Sequence, residues 1–138
     1  MSLELTIVTP EGQAFHGEVE SVVLPGAEGD FGVLAGHEPF LSALRTGGLE
    51  LEAAGKKRLA AVSRGYAEIH GDKVSVMVGT CEWADEIDTE RAERARQRAE
   101  ERLKAPPAEV NMDFERARIA MMKSLIRLQV ASRARTRA

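Results

Sequence analysis

Residues 24–39 read LPGAEGDFGVLAGHEP, and this stretch determines how the rest of the sequence is interpreted. Its glycines permit positive φ angles and its prolines fix φ, so the chain can change direction sharply here. Phe31, Val33 and Leu34 lie between these residues, although burying an apolar side chain in a loop costs ordering entropy. We therefore predict tight turns around a short strand, with the three apolar side chains packed against a core. A long connecting loop with no further role is the alternative.

On both sides of this stretch the residues alternate between apolar and polar, as in short β-strands. Leu3, Leu5 and Ile7 are separated by polar residues. Further strands are predicted over residues 14–20, 21–24, 40–43, 48–53, 57–63, 66–70 and 73–78, and Gly71-Asp72 suits a tight hairpin between the last two. About eight to ten short strands within about 85 residues predict an all-β sandwich or flattened barrel.

Beyond Asp85 the apolar spacing becomes that of α-helices. Asp88 or Thr89 is suited to cap a first helix, and Pro106-Pro107 is expected to end it. Residues at spacings of three and four place one narrow apolar stripe on this helix, comprising Ala92, Ala95, Ala99 and Leu103.

A second helix is predicted from a cap at Asp113 to about Ala131, antiparallel to the first. It has two apolar stripes, roughly 145° apart when each residue advances about 100°. The first comprises Phe114, Ala117, Met121, Leu125 and Leu128, and the second Ile119, Met122, Ile126 and Val130. Two stripes imply two buried faces, one against the first helix and one against the sandwich or another polypeptide.

The sequence thus divides into a β-sandwich domain over residues 1–85 and a helical hairpin over residues 86–138. An alanine stripe buries little apolar surface at roughly 25 cal/mol per Å². We therefore expect the hairpin to be weakly held and able to change partners. A helical layer fixed permanently to one face of the sheet is the alternative.

Composition excludes several classes of protein. The net charge is −3, but residues 1–85 carry 13 acidic and 6 basic groups, whereas residues 106–138 carry 3 and 7. The basic end predicts attraction to an acidic partner or simply a solvated helix end. No apolar run approaches the roughly 20 residues of a membrane span. The single cysteine cannot form an internal disulfide, and none of the three histidines is spaced as a metal-ligand pair, which indicates a cytosolic chain without a metal site.

No catalytic constellation is present in the sequence. The serines lack a glycine-flanked nucleophile motif, and no phosphate-binding glycine loop or dinucleotide fingerprint occurs. Cys81 is expected to be buried, with its thiol pKa raised by Glu82 and Asp85. The basic residues have no aromatic neighbour for base stacking, which argues against nucleic-acid binding. The chain is therefore predicted not to be an enzyme.

One group of charged residues suggests a phosphate-containing ligand. Arg98, two turns after Arg91, could converge with Arg127 and the other basic groups of the second helix if the helices are antiparallel, and arginine clusters bind phosphates through bidentate hydrogen bonds. Asp88 could then accept a hydrogen bond from a ribose or a base. The alternative is that Asp88 only caps the helix and that the arginines pair with neighbouring glutamates in solvent.

The order of these motifs resembles that of the epsilon subunit of bacterial F-type ATP synthases, over essentially the whole chain. The residues that carry the resemblance are Thr9-Pro10-Glu11-Gly12, Leu24-Pro25-Gly26, Gly29-Asp30-Phe31-Gly32-Val33-Leu34, Gly36-His37-Glu38-Pro39, Arg64-Gly65-Tyr66 and Ile87-Asp88-Thr89-Glu90-Arg91-Ala92. The resemblance implies a ten-stranded β-sandwich followed by an α-helical antiparallel hairpin.

The resemblance also implies a non-catalytic rotor subunit at the cytoplasmic face of the bacterial inner membrane, without insertion into it. Its sandwich would bind the gamma subunit and the membrane ring of proton-carrying subunits. Its hairpin would fold against the sandwich or extend into the catalytic alpha/beta head and block ATP hydrolysis. A free-standing ATP-sensing module is the alternative function.

In some members of that family a short motif binds regulatory ATP, with or without Mg²⁺, and no other cofactor is implied. Here Ile87, Asp88, Arg91 and Ala92 match the motif. Supporting positions are occupied by Glu82, Arg98 and Arg127, while Lys123 replaces an arginine and lacks its planar fork. For partner contact we single out the loop residues Glu28, Gly29, Asp30, His37 and Glu38, which could alternatively only shape the turns.

Overall fold

The computed structural model describes residues 2–104 and 111–136. Ten strands are followed by a short 3-10 helix, Ala84–Glu86, and two α-helices, α1 (Thr89–Lys104) and α2 (Asn111–Thr136). The strands are β1 (Leu3–Thr9), β2 (Gly12–Val19), β3 (Ser21–Gly26), β4 (Gly29–Leu34), β5 (Phe40–Leu44), β6 (Gly47–Ala53), β7 (Lys56–Val62), β8 (Gly65–His70), β9 (Lys73–Val78) and β10 (Cys81–Trp83). The predicted ten-stranded fold with a helical hairpin is confirmed.

All strands belong to one sheet that nearly closes on itself. Their order is β10-β7-β6-β3-β5-β8-β9-β1-β2, with β4 paired separately to β3. Neighbours are antiparallel except β1 and β9, which are parallel. The two ends of the order meet where Phe15 of β2 packs on Trp83 of β10, with 5.9 Å between ring centroids. We call this ten-stranded unit the head.

The head encloses one apolar core because alternate residues of each strand point inward. The side chains of Leu3, Leu5 and Ile7 are fully buried, as their alternation predicts. The prediction for residues 31–34 is wrong in one respect: Val33 is buried and Phe31 partly so, whereas Leu34 is 64% exposed. Leu34 follows an inward-facing residue on the same strand, so the pleat directs it to solvent.

Helix α1 begins where the sequence predicts. The Asp88 carboxylate Oδ1 accepts a hydrogen bond of 3.1 Å from the backbone N–H of Arg91, so Asp88 is the N-cap. Ala92 and Ala99 of the predicted stripe are buried. The helix ends at Lys104 in the part of the chain that is described, and Pro106-Pro107 lies outside it.

Helix α2 is longer than predicted. It begins at Asn111 rather than at a cap at Asp113, and it continues to Thr136 rather than ending near Ala131. The residues after Ala131 read SRARTRA. They include neither glycine nor proline, so nothing in them stops a helix.

The two predicted apolar stripes of α2 are only partly correct. Four large members, Phe114, Ile119, Met122 and Leu125, are 40–52% exposed. The residues that α2 buries are instead small or lie near its C-terminal end: Ala117, Ser124, Val130 and Ala131. Buried small residues recur seven apart on both helices, which is the spacing expected where two helices approach closely.

Candidate functional site

The hairpin meets the head through a small apolar cluster. Leu59 and Ala61 of β7 contact Ile87, which precedes α1, and residues near the C-terminal end of α2. The members contributed by α2 are Val130 and Ala131, with Ile126 and Ala134 partly buried. Since several members are alanines, this contact transfers far less apolar surface from water than the core of the head does.

A glycine of β6 lets α2 approach the sheet. A Cβ atom added at Gly48 would lie 3.3 Å from Val130 Cγ2 and 3.4 Å from Arg133 Nη1, tighter than ordinary van der Waals contacts. Sequence reasoning missed Gly48 as an interface residue, because nothing in the local pattern reveals a neighbour more than 80 residues further along.

Charged side chains also join the hairpin to the head. Arg127 of α2 donates two hydrogen bonds to the Glu82 carboxylate of β10, from Nε to Oε2 and from Nη2 to Oε1, both 2.8 Å long. Nearby, Arg133 Nη2 lies 3.5 Å from Glu50 Oε2, and Glu50 is also 3.8 Å from Lys57 Nζ. Glu82 and Arg127 are two residues that the sequence assigned to a nucleotide site, and here they contact each other.

The other residues of the predicted nucleotide site have diverse environments. Ile87 belongs to the apolar cluster, Asp88 caps α1 and Ala92 is fully buried. The side chains of three cations, Arg91, Arg98 and Lys123, are exposed and make no hydrogen bond or ion pair to any residue that the structure describes. These three cations therefore remain available to a ligand.

Cys81 is not a reactive thiol in this environment. The pKa of its thiol is raised to about 11, mainly by burial and also by the carboxylate of Glu86, while the guanidinium of Arg58 acts to lower it. The predicted direction is confirmed, but burial is the main cause and Glu86 the acidic neighbour, in place of Glu82 and Asp85. A thiol with this pKa stays protonated at neutral pH and is a poor nucleophile.

The residues assigned to partner contact line an open cleft of about 570 Å³ elsewhere on the head. Glu28, Gly29, Asp30 and His37 contribute to its walls, and Glu38 follows directly. Asp30 forms an ion pair with Arg45, and His37 Nδ1 lies 2.7 Å from the carbonyl oxygen of Glu38. These last contacts shape the turns, as the alternative interpretation expected, while Glu28 and Glu38 face solvent.

An apolar row crosses the outer surface of four adjacent strands. Strand register places Val8 beside Met77, Met77 beside Tyr66 and Tyr66 beside Ala43, and Leu41 lies two residues before Ala43 on β5. All five are exposed, with Tyr66 at 58% and Leu41 at 68%. We call these five residues the outer apolar row. Sequence analysis missed it because each strand contributes only one or two members.

The described residues 2–104 and 111–136 contain no group of three or more His, Cys, Asp or Glu side chains that could hold a metal ion. None of their helices is both long enough and apolar enough to cross a membrane.

Comparisons with known proteins place this fold and sequence among ATP synthase subunits. The family description "ATP synthase, Delta/Epsilon chain, beta-sandwich domain" matches residues 2–84, and "ATP synthase, Delta/Epsilon chain, long alpha-helix domain" matches residues 85–132. The ATP synthase epsilon chain of Desulforamulus reducens is 43% identical over 127 residues, which is 92% of this chain and 95% of that relative. That of Geotalea uraniireducens is 44% identical over 132 residues, 96% of this chain and 95% of the relative.

A solved structure has the same fold. A chain in the Euglena gracilis mitochondrial ATP synthase structure that contains OSCP, F1 and the c-ring superposes with a TM-score of 0.71. The two share 24% sequence identity over 98% of this chain and 80% of the other. At that level of identity the likeness concerns the fold.

Proposed function

The chain belongs to the ATP synthase delta/epsilon family, and from this premise we propose that it acts as a regulated, non-catalytic central-stalk subunit of a bacterial F-type ATP synthase. Its head would bind the gamma subunit and the membrane ring of proton-carrying subunits, at the cytoplasmic face of the inner membrane. Its hairpin would inhibit ATP hydrolysis by extending into the catalytic alpha/beta head, and ATP would favour the folded hairpin.

The inhibitory part of this proposal is supported by one observation: the core of the head contains no residue of the hairpin. The core of the head is built entirely from residues between Leu3 and Trp83, so it stays intact when the hairpin leaves. Among the described residues, the hairpin, by contrast, contacts the head through the small cluster around Val130 and through the Arg127–Glu82 and Arg133–Glu50 ion pairs. An element that buries little area and supports no other part of the core can undock at modest cost.

The outer face of α2 supports a second set of contacts for the hairpin. Phe114, Ile119, Met122 and Leu125 are about half exposed in the folded state. Neighbouring large apolar side chains on an exposed helix face are typical of surfaces that another protein covers. We assign this face to the extended state, in which gamma and the alpha/beta head would cover it.

The outer apolar row supports docking of gamma on the sheet. Val8, Met77 and Tyr66 adjoin one another on three hydrogen-bonded strands, so the row forms a rigid surface with an aromatic side chain near its centre. Rigid apolar and aromatic residues of this kind carry much of the binding energy at protein interfaces. The acidic cleft near Glu28 and Glu38 is assigned to the membrane ring.

We expect Tyr66→Glu to weaken binding of gamma by at least about tenfold, because an ionised carboxylate would be desolvated in the interface. Titration of purified gamma with each variant, followed by pull-down, gives the dissociation constants. Since Tyr66 is exposed, the substitution leaves the core intact.

Gln97→Glu on α1 adds the same charge at an exposed position of the hairpin and should bind gamma as the original chain does. If the unaltered chain, Tyr66→Glu and Gln97→Glu all bind gamma with equal affinity, binding of gamma at the outer apolar row is contradicted. Failure of the unaltered chain to bind gamma would favour a free-standing ATP-sensing module.

For the nucleotide site, we expect calorimetry to detect MgATP binding to the isolated chain with a dissociation constant of about 1 mM, which corresponds to a standard binding free energy of about −4 kcal/mol. Arg98→Ala should abolish the heat, whereas Arg102→Ala, an exposed arginine one turn further on α1, should keep it. Lys123→Arg should tighten binding because a guanidinium holds phosphate through two parallel hydrogen bonds.

Asp88 needs two substitutions because it also caps α1. Asp88→Asn keeps the cap and removes the charge, while Asp88→Ala removes both at a cost of about 1 kcal/mol in helix stability. Loss of ATP binding in Asp88→Ala alone would show that the residue acts through the helix. Absence of heat from the unaltered chain at several millimolar ATP would contradict a nucleotide site.

A further inference from the structure

Among the described residues, two ion pairs join the hairpin to the head, Arg127–Glu82 and Arg133–Glu50, and both differ in kind from the pairs within α1 and α2. The pairs Arg96–Glu93, Arg96–Glu100, Lys104–Glu100 and Arg118–Glu115 are local, three or four residues apart on one helix. The Arg127–Glu82 pair instead joins α2 to β10 across 45 residues of sequence.

The geometry of this pair makes it stronger than an ordinary surface ion pair. Both N–H···O distances are 2.8 Å and the guanidinium meets the carboxylate through two hydrogen bonds. The Arg127 and Glu82 side chains are only 22% and 31% exposed, so solvent and salt screen them less than an exposed pair. Bidentate charge-assisted pairs of this kind also fix orientation, because the planar guanidinium admits few alternatives.

We infer that the Arg127–Glu82 ion pair is an electrostatic latch that closes the hairpin without nucleotide. The latch lies at the C-terminal half of α2, beside Val130 and the Arg133–Glu50 contact, where the helix meets the sheet. It supplements an apolar contact in which half of the members are alanines. The inference rests on the proposed mobility of the hairpin but not on ATP binding.

The latch also constrains how a phosphate group reaches this site. The Nε and Nη2 edge of Arg127 is occupied by Glu82, and this is one of the two edges through which a guanidinium holds phosphate bidentately. A nucleotide must therefore use the remaining donors of Arg127 or displace Glu82. Arg91, Arg98 and Lys123, which have no partner among the described residues, are the cations that can bind phosphate without opening the latch.

Undocking can be measured in the intact chain by placing a thiol under the hairpin. Val130→Cys puts a cysteine at a position that is 1% exposed and contacts the head. Pulsed thiol labelling, followed by peptide mass spectrometry, then measures how often the hairpin leaves the head. In this background, Arg127→Gln should raise the labelling rate about tenfold, the ratio that corresponds to 1.4 kcal/mol.

Arg118→Gln is the matched control, because it removes the same charge from the same helix but breaks only a local pair with Glu115. It should leave the labelling rate within about twofold of the starting chain. Raising salt from about 0.1 M to about 1 M shortens the screening length from about 10 Å to about 3 Å and should speed labelling of the unaltered latch more than of Arg127→Gln.

A double-mutant cycle isolates the pair itself. Glu82→Gln should speed labelling about as much as Arg127→Gln does, and combining the two should add little. Additive effects would show that each residue acts through other contacts and would overturn the latch, as would equal rates for Arg127→Gln and Arg118→Gln.

The latch and the proposed function can fail separately. If Arg127→Gln opens the hairpin but the hairpin has no effect on ATP hydrolysis in the assembled complex, the inhibitory role fails and the latch stands. If the hairpin inhibits hydrolysis but labelling is unaffected by Arg127 and Glu82, the latch fails and the inhibitory role stands.

Discussion

Truncation of the chain after Asp85 should raise ATP hydrolysis by the assembled complex, by about twofold if about half of the complexes are held inhibited, while the head stays bound to gamma. The truncation removes α1 and α2 but no residue of the core between Leu3 and Trp83. The outer apolar row also remains. Hydrolysis by complexes reconstituted with either form of the chain, at equal occupancy of the stalk, is the measurement.

A substitution that opens the hairpin should have the opposite effect on hydrolysis. Gly48→Leu places a large side chain where even a Cβ would crowd Val130 and Arg133, so α2 can no longer rest on β6. Position 48 faces the hairpin and not the core, so the head should keep its stability. We expect this variant to lower hydrolysis because the extended state becomes more populated.

The truncation and Gly48→Leu are expected to change the rate of ATP hydrolysis in opposite directions, and this distinguishes regulation from damage to the subunit. General destabilisation of the subunit would move both variants in the same direction, through loss of the chain from the complex. Unchanged hydrolysis after truncation, with full occupancy of the stalk, would contradict the inhibitory role. Hydrogen exchange as slow in α2 as in the head, in the isolated chain without nucleotide, would contradict the movable hairpin.

The sequence predicted those parts of the fold that depend on local pattern. Leu3, Leu5 and Ile7 reveal their strand because pleating turns alternate residues inward, and Asp88 marks the start of α1 because its carboxylate caps the first turn. The same reasoning failed for Leu34, since it treated neighbouring apolar residues as equally buried although they point in opposite directions.

The contacts between hairpin and head were less accessible to such reasoning. Arg127 and Glu82 were singled out as ligands of a nucleotide, but their mutual contact depends on how α2 lies across the sheet. Gly48 was predicted only as the first residue of a strand, and its role as the place where Val130 approaches became visible only in three dimensions. The predicted stripes of α2 were misleading because the pattern makes Met122 and Leu125 look like core residues, although they are 40% and 46% exposed.

The largest effect on stability is expected at the junction between β7 and β8. A Cβ atom at Gly65 would overlap the carbonyl oxygen of Met77 and lie 2.8 Å from the Cα atom of Val78. The backbone cannot move aside, because Gly65 is paired with Leu44 on one side and with Val78 on the other. Relief of the overlap would break the ladder that carries Tyr66 and the outer apolar row.

We therefore expect Gly65→Ala to lower the free energy of unfolding by more than about 3 kcal/mol, or to prevent folding, because strain against fixed backbone is among the costliest effects of a single substitution. Gly32→Ala is the matched control: a Cβ there meets nothing within 4 Å and its φ is not positive. That variant should be neutral or up to about 1 kcal/mol more stable, since alanine restricts the unfolded chain. Urea unfolding of both variants measures the difference, and equal stabilities would contradict a close contact between Gly65 and the backbone of Met77 and Val78.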